Sequence, residues 1–365
     1  MSLASRRSDG CRRAVEGLSA HHVPGVSAHE SPLRLASNEC PEPPLPAVLA
    51  AARDALSDLN RYPDPKNERL RAALAQRYAV PTTSIAIGNG SADLLLAAGD
   101  ALLEPGVDYV CAWPTFGLFR ELAARTGATA RLVPLNRDHE HDLAAMVYAL
   151  TERTRLLLVC NPNNPTSTAL PLAALAQLLA AVPREVCVII DEAYIEYATL
   201  DPADASVALL ATYSNLVILR TFSKVYGLSA LRVGYALAGS EAFVQALDRV
   251  RQPFFCNAVA QAAALEALKH GEAIAARRAA AIQARETLRL GLCELGLVAA
   301  PSQTNFVWCE LPEHVPSEQD LVRGLAEHGV LVRPGSGLGR PGALRVSCGT
   351  PDQNARFLKV LSQLL

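Results

Sequence analysis

Five times between Ser84 and Lys224 a short apolar run stops abruptly in small or polar residues. The runs cover residues 84–87, 109–113, 155–160, 186–190 and 216–219. They are followed by Gly88-Asn89-Gly90-Ser91-Ala92, Pro114-Thr115-Phe116, Asn161-Pro162-Asn163-Asn164-Pro165-Thr166, Asp191-Glu192-Ala193-Tyr194 and Arg220-Thr221-Phe222-Ser223-Lys224. Short runs that are apolar throughout, rather than alternating, suit strands covered on both faces, as in parallel sheets. Helical patterns lie between them, so the expectation is an α/β fold with a mostly parallel sheet flanked by helices. In such sheets ligands bind beyond the carboxyl ends of the strands. The polar followers are therefore expected around one cleft.

Their chemistry narrows what that cleft can do. Lys224 stands just past a buried strand, where partial loss of water lowers its pKa and frees the amine for Schiff-base chemistry. Thr221, Ser223 and Arg232 surround it with groups suited to a phosphate. Gly88-Asn89-Gly90-Ser91-Ala92 leads from strand into helix, a turn whose free N–H groups and helix dipole favour an anion. Asp191 closes an apolar run, and a buried carboxylate needs a charge or a proton partner. A structural ion pair would satisfy it; so would a pyridinium nitrogen, which the carboxylate would keep protonated as an electron sink. Tyr194 and Asn164 can donate to a phenolate oxygen, and Phe116 can stack on an aromatic ring.

The chain has 365 residues, half of them apolar, enough for a large core in two structural units. Residues 1–30 carry arginine, serine, histidine and glycine without periodicity or a signal-peptide apolar segment, and read as a mobile arm, with a transit peptide as the alternative. Helical patterns follow over 47–56 and 67–78, separated by the restricted loop Asn60-Arg61-Tyr62-Pro63-Asp64-Pro65. After about Phe254 the pattern changes: an alanine-rich helical region to about Leu295, strands at 304–310, 330–333 and 344–347, and a helix at 320–328. This reads as a smaller α+β unit over 256–365, after a large domain over 59–255. Gly335-Ser336-Gly337-Leu338-Gly339 is no dinucleotide loop, because no helix-forming run follows it. A net charge of −2 favours neither nucleic acid nor a membrane surface as partner. No apolar run reaches bilayer length. The nine scattered cysteines, without a C-x-x-C pair, fit a reducing cytoplasm. His139 and His141 flank a glutamate without metal-ligand spacing, so no metal is expected and both are placed in a solvated loop.

Asn161-Pro162-Asn163-Asn164-Pro165-Thr166, Asp191-Glu192-Ala193-Tyr194 and Arg220-Thr221-Phe222-Ser223-Lys224-Val225-Tyr226-Gly227-Leu228 together resemble the fold-type I pyridoxal-phosphate aminotransferases. More narrowly, the Asn60 to Pro65 loop, Gly88-Asn89-Gly90-Ser91, Val330-Leu331-Val332-Arg333 and Leu344-Arg345-Val346-Ser347-Cys348-Gly349-Thr350 look like the histidinol-phosphate aminotransferases. The resemblance runs from about Leu33 to the C-terminus. It implies that Lys224 forms the Schiff base with pyridoxal 5'-phosphate and then shuttles protons, while Asp191 pairs with the pyridine nitrogen. Tyr194 and Asn164 would bond the ring oxygen and Phe116 would stack on the ring. The backbone of Ser91 and Ala92, with Ser223 and Arg232, would hold the phosphate. Tyr62 would reach the partner's active site in a homodimer. Arg345 and Arg333 would grip the substrate's acidic group, beside Asn38 and Asn164. Residues 31–58 would pack on the small domain and the active site. The chain departs from the family's pattern at Ala92-Asp93, Ser167 and Cys40, the last within the segment that lines the substrate pocket in relatives.

The reading that follows is transfer of an amino group between L-histidinol phosphate and 2-oxoglutarate, giving imidazole-acetol phosphate and L-glutamate, in histidine biosynthesis. An aromatic amino-acid aminotransferase and a phosphothreonine decarboxylase-like enzyme are the alternatives on this fold. A transcription regulator of this fold would need a DNA-binding module, and about 30 residues are too few for one. A nicotinamide dehydrogenase lacks its glycine-rich unit.

Overall fold

The computed structural model describes residues 32–365, so the arm expected over 1–30 lies outside the described residues. The chain enters through a two-residue strand, β1 (Leu33–Arg34). Seven strands then build the large sheet: β2 (Ile85–Gly88), β3 (Asp108–Trp113), β4 (Thr129–Pro134), β5 (Thr154–Cys160), β6 (Cys187–Asp191), β7 (Leu216–Thr221) and β8 (Gly234–Ala238). Their order is β2-β8-β7-β6-β5-β3-β4. Neighbours from β7 to β4 run parallel, while β8 runs antiparallel to both β7 and β2.

The expected mostly parallel sheet is present, and two of its strands were not foreseen. β4, Thr-Ala-Arg-Leu-Val-Pro, is a sheet edge with several exposed positions, so it carries no apolar run. β8, Gly-Tyr-Ala-Leu-Ala, has little intrinsic strand preference and is a strand because β7 and β2 enclose it.

The apolar runs do alternate, but between two buried faces. Val110, Leu157, Val159, Val188, Ile190, Leu216 and Ile218 enter one core layer. Tyr109, Cys111, Leu156, Leu158, Ile189, Val217 and Leu219 enter the other. A sheet covered on both sides leaves only its strand ends to solvent and ligand.

The alanine-rich region is two helices, Ala258–Ala267 and Gly271–Glu294, rather than one. A tight turn at 268–270 separates them, closed by His270 N donating to Ala267 O at 3.2 Å. Beyond lie β9 (Val298–Ala299), β10 (Phe306–Glu310), β11 (Val330–Leu331), β12 (Arg333–Pro334) and β13 (Ala343–Ser347). β12, β13, β10 and β9 form an antiparallel sheet in that order, while β11 pairs in parallel with β1. The strand expected over 330–333 is thus divided. Its first half binds the N-terminal segment, and Val332 hands the chain over to a second sheet where Arg333 faces Arg345. Arg345, within the strand expected over 344–347, sits in the middle of β13. Leu33 and Leu35 enter this unit's own core with Leu288, Val307, Leu344 and Phe357. Among the described residues no helix is long and apolar enough to cross a membrane.

Candidate active site

The carboxyl ends of β5, β6 and β7 open into a cleft of about 460 Å³. Ser91, Ala92, Phe116, Asn164, Asp191, Tyr194, Ser223, Lys224 and Arg232 all line it, so nine of the expected residues meet in one place. Four more lie elsewhere. Asn38 is buried directly behind the cleft, Arg345 stands behind Asn164, Arg333 begins the strand beside Arg345, and Tyr62 is 81 % exposed outside it. Tyr62 stacks on Phe254 with ring centroids 4.4 Å apart.

One end of the cleft is built for an anion. The helix Ser91–Leu102 starts there without a side-chain cap, which leaves its first N–H groups open. Gly90, at φ +84°, makes the turn, and a Cβ on it would lie 2.5 Å from Arg232 Nη2. A Cβ on Gly234 would lie 2.5 Å from Ser91 N. Both glycines let backbone and guanidinium close around the same small space. Arg232 Nη1 donates to Ser223 Oγ at 3.3 Å and to Ser229 O at 2.8 Å, and Thr221 Oγ1 donates to Ser223 Oγ at 2.9 Å. A phosphate fits this donor set.

At the other end Asp191 ends β6 with its Oδ1 accepting from Ala193 N at 3.1 Å. Burial pushes its carboxyl up to about 6, and Lys224 offsets little of that. A protonated aromatic nitrogen would supply the cation this carboxylate needs. Lys224 Nζ donates to Asn38 O at 3.1 Å and lies 5.2 Å above the Tyr194 ring. Burial, then the nearby Arg345 cation, brings its amine down to about 7. Tyr194 Oη accepts from Asn38 Nδ2 at 3.0 Å, and burial pushes the phenol up to about 12, so it remains a proton donor. Phe116 lies on the cleft wall, edge-on to Phe119 at 5.9 Å.

Behind this wall the N-terminal segment and the small sheet interlock. Arg345 Nη1 donates to Asn164 Oδ1 at 2.6 Å, and its Nη2 to Ala36 O at 2.6 Å. Its buried Nε has no partner among the described residues. Because Asn164 Oδ1 is taken, Asn164 Nδ2 is left to serve the cleft. Ser347 Oγ donates to Asn38 Oδ1 at 2.9 Å and accepts from Asn38 N at 2.8 Å. Asn305 Nδ2 donates to Asn38 O at 3.1 Å. Ser347 and Asn305 were not foreseen. For Ser347 a signal existed: it lies two residues after Arg345 on one strand, hence on the same face.

His141 corrects the solvated loop expected for it. It is buried, its Nε2 lies 3.2 Å from Asn163 Oδ1, and burial pushes its imidazole down to about 4. The cause is tertiary: Thr166 and Thr168 both donate to His139 O, folding this loop over 161–168. Asn163 Oδ1 also accepts from Thr115 Oγ1 at 2.7 Å, which joins the Phe116 loop to the Asn164 loop.

Comparison with known proteins agrees with this geometry. A family model, aminotransferase class I and II, matches residues 30–361. An aromatic amino acid aminotransferase of Thermobifida fusca (strain YX) is 41 % identical over 361 residues, 98 % of each chain. Histidinol-phosphate aminotransferase 2 of Pseudomonas fluorescens (strain Pf0-1) is 42 % identical over 333 residues, 91 % of this chain and 89 % of the relative. Among solved structures, histidinol-phosphate aminotransferase from Sinorhizobium meliloti in complex with pyridoxal-5'-phosphate superposes with a TM-score of 0.88. It is 27 % identical and covers 98 % of this chain and 99 % of its own.

Proposed function

Because the chain belongs to the class I and II aminotransferases, we propose that it moves an amino group from L-histidinol phosphate to 2-oxoglutarate, with pyridoxal 5'-phosphate as cofactor. The observation that carries this reading is the cleft where Lys224, Asp191 and the anion cradle of Ser91, Ala92, Ser223 and Arg232 meet. Pyridoxal phosphate, when bound, supplies an aldehyde that condenses with amines and a ring that accepts electrons. The chain's residues do the rest. Lys224, whose amine burial brings down to about 7, would hold the aldehyde and would afterwards carry protons on Nζ. The Asp191 carboxylate would keep the ring nitrogen protonated, Tyr194 and Asn164 would donate to the ring oxygen, and Phe116 would stack on the ring. Arg345 and Arg333 take the substrate's acidic group beside Asn38, and an arginine fork suits carboxylate and phosphate alike. One cleft can thus accept two anionic partners in turn.

Several larger assignments belong to the same reading. The chain acts as a homodimer in which exposed Tyr62 enters the partner's cleft. It works in the cytoplasm, in histidine biosynthesis. A large domain (59–255) is followed by a small one (256–365), and residues 31–58 pack on the small domain and the active site. The second reading, transfer from aromatic amino acids, is supported by the Thermobifida fusca relative. A panel of purified holoenzyme with histidinol phosphate, phenylalanine, tyrosine and glutamate as donors separates the two. Histidinol phosphate is expected to exceed either aromatic donor in kcat/KM by roughly tenfold or more, about 1.4 kcal/mol of transition-state preference. The reverse order assigns the aromatic reaction.

A further inference from the structure

Nothing above uses Arg34 or Glu39, yet both line the cleft with Lys224. Arg34 is fixed by its backbone to the segments that carry the other two substrate-side arginines. β1 pairs with β11, with Arg34 opposite Leu331, two residues before Arg333. Leu35 O accepts from Ser347 N at 2.9 Å, and Ala36 O accepts from Arg345. Ser37 O and Asn38 O then accept from Lys224 Nζ. The segment from Arg34 to Glu39 is therefore threaded between both arginine strands and the reactive lysine.

We propose that Arg34 is a specificity-determining arginine that leaves Glu39 to grip the phosphate of a phosphomonoester amino donor. This rests on the transaminase reading of the cleft. In the structure Arg34 Nη2 meets Glu39 Oε1 through a single contact of 2.6 Å, with the side chains 66 % and 32 % exposed. An exposed, one-point ion pair holds weakly and exchanges readily for a better anion. A phosphomonoester is better: it carries nearly two charges near neutral pH, and several oxygens match the guanidinium fork. Arg345 meets the same anion, but its two terminal nitrogens also donate to Asn164 and Ala36, so Arg34 supplies the further fork that distinguishes a dianionic phosphate. Glu39 acts as placeholder: it keeps Arg34 over the cleft mouth until the phosphate arrives. An aromatic amino acid offers Arg34 at most a singly charged carboxylate, a weaker match than the phosphate, and so displaces Glu39 less readily.

The test uses holoenzyme, whose cofactor fills the cradle at Ser91 and Arg232, and glycerol phosphate as the probe. Calorimetric titration is expected to show that Arg34→Ala binds glycerol phosphate about tenfold more weakly than native enzyme. The ratio of kcat/KM for histidinol phosphate over phenylalanine should fall by a similar factor. Arg34→Lys should recover part of the loss, Glu39→Gln should tighten binding about twofold, and the double variant should stay as weak as Arg34→Ala. Native affinity in Arg34→Ala, or no binding by native enzyme, overturns the proposal. So does a double variant that returns to native affinity, since Arg34 would then only neutralise Glu39. If native enzyme uses phenylalanine but not histidinol phosphate, the proposed reaction fails while the glycerol phosphate titration still decides on Arg34. Matching unfolding midpoints show that each variant is folded.

Discussion

Asp191 and Glu192 are consecutive in the chain and both are buried, yet they sit in opposite surroundings. Glu192 turns into the core, where its Oε2 accepts from Arg220 Nε at 2.9 Å and Nη2 at 2.8 Å. Arg220 also donates to Asp204 Oδ1 at 2.5 Å, Tyr78 Oη at 3.1 Å and Ala203 O at 2.7 Å. Asp191 turns to the cleft, accepts from a backbone N–H two residues on, and has its carboxyl pushed up to about 6 by burial. The difference teaches how to read buried charge in this fold. Burial raises both carboxyls, but the Arg220 guanidinium opposes it at Glu192, where the pair fixes architecture; at Asp191 the built-in compensation is slighter, which is what the proposed ligand role requires.

The sharpest way to break that contrast is to remove each acid in turn. Glu192→Ala leaves the Arg220 guanidinium buried without its main counterion, and is expected to cost about 3–5 kcal/mol of stability in denaturant unfolding. A cost below about 1 kcal/mol would mean that the core pair is no more structural than a surface one. Asp191→Asn is expected to lower single-turnover transamination about a hundredfold, equivalent to about 2.7 kcal/mol, with the unfolding midpoint little changed. Near-native turnover would place Asp191 in the same class as Glu192.

A smaller effect sharpens the comparison from the lysine side. Lys224 titrates at about 7 rather than 10.5, so its neutral fraction grows as pH rises towards 7 and is complete above it. Uptake of pyridoxal phosphate by the apoprotein, followed by absorbance, should therefore rise about tenfold per pH unit below 7 and level off above. Arg345 is the second cause of that low value, after burial. Arg345→Ala should move the plateau to higher pH; an unmoved plateau would remove Arg345 from the causes.

The local text determined much of this molecule. Apolar runs of strand length, each closed by polar residues, sufficed to place Asn164, Asp191, Tyr194 and Lys224 at neighbouring strand ends, because in a parallel sheet the ends share one edge. Local text could not say that Gly-Tyr-Ala-Leu-Ala would be a strand, since only its neighbours β7 and β2 make it one. Nor could it divide Val330-Leu331-Val332-Arg333 between two sheets, or bury His141 under the loop that carries Asn163. Which of two buried faces each side chain enters was equally closed to inspection, because every position in such a run is apolar. The substrate side of the cleft was the least legible part. Asn38 meets Ser347, and Arg345 meets Ala36, each across 309 residues of chain. Period and propensity act over a few residues, whereas contacts at that separation exist only once the small sheet has folded against the N-terminal segment.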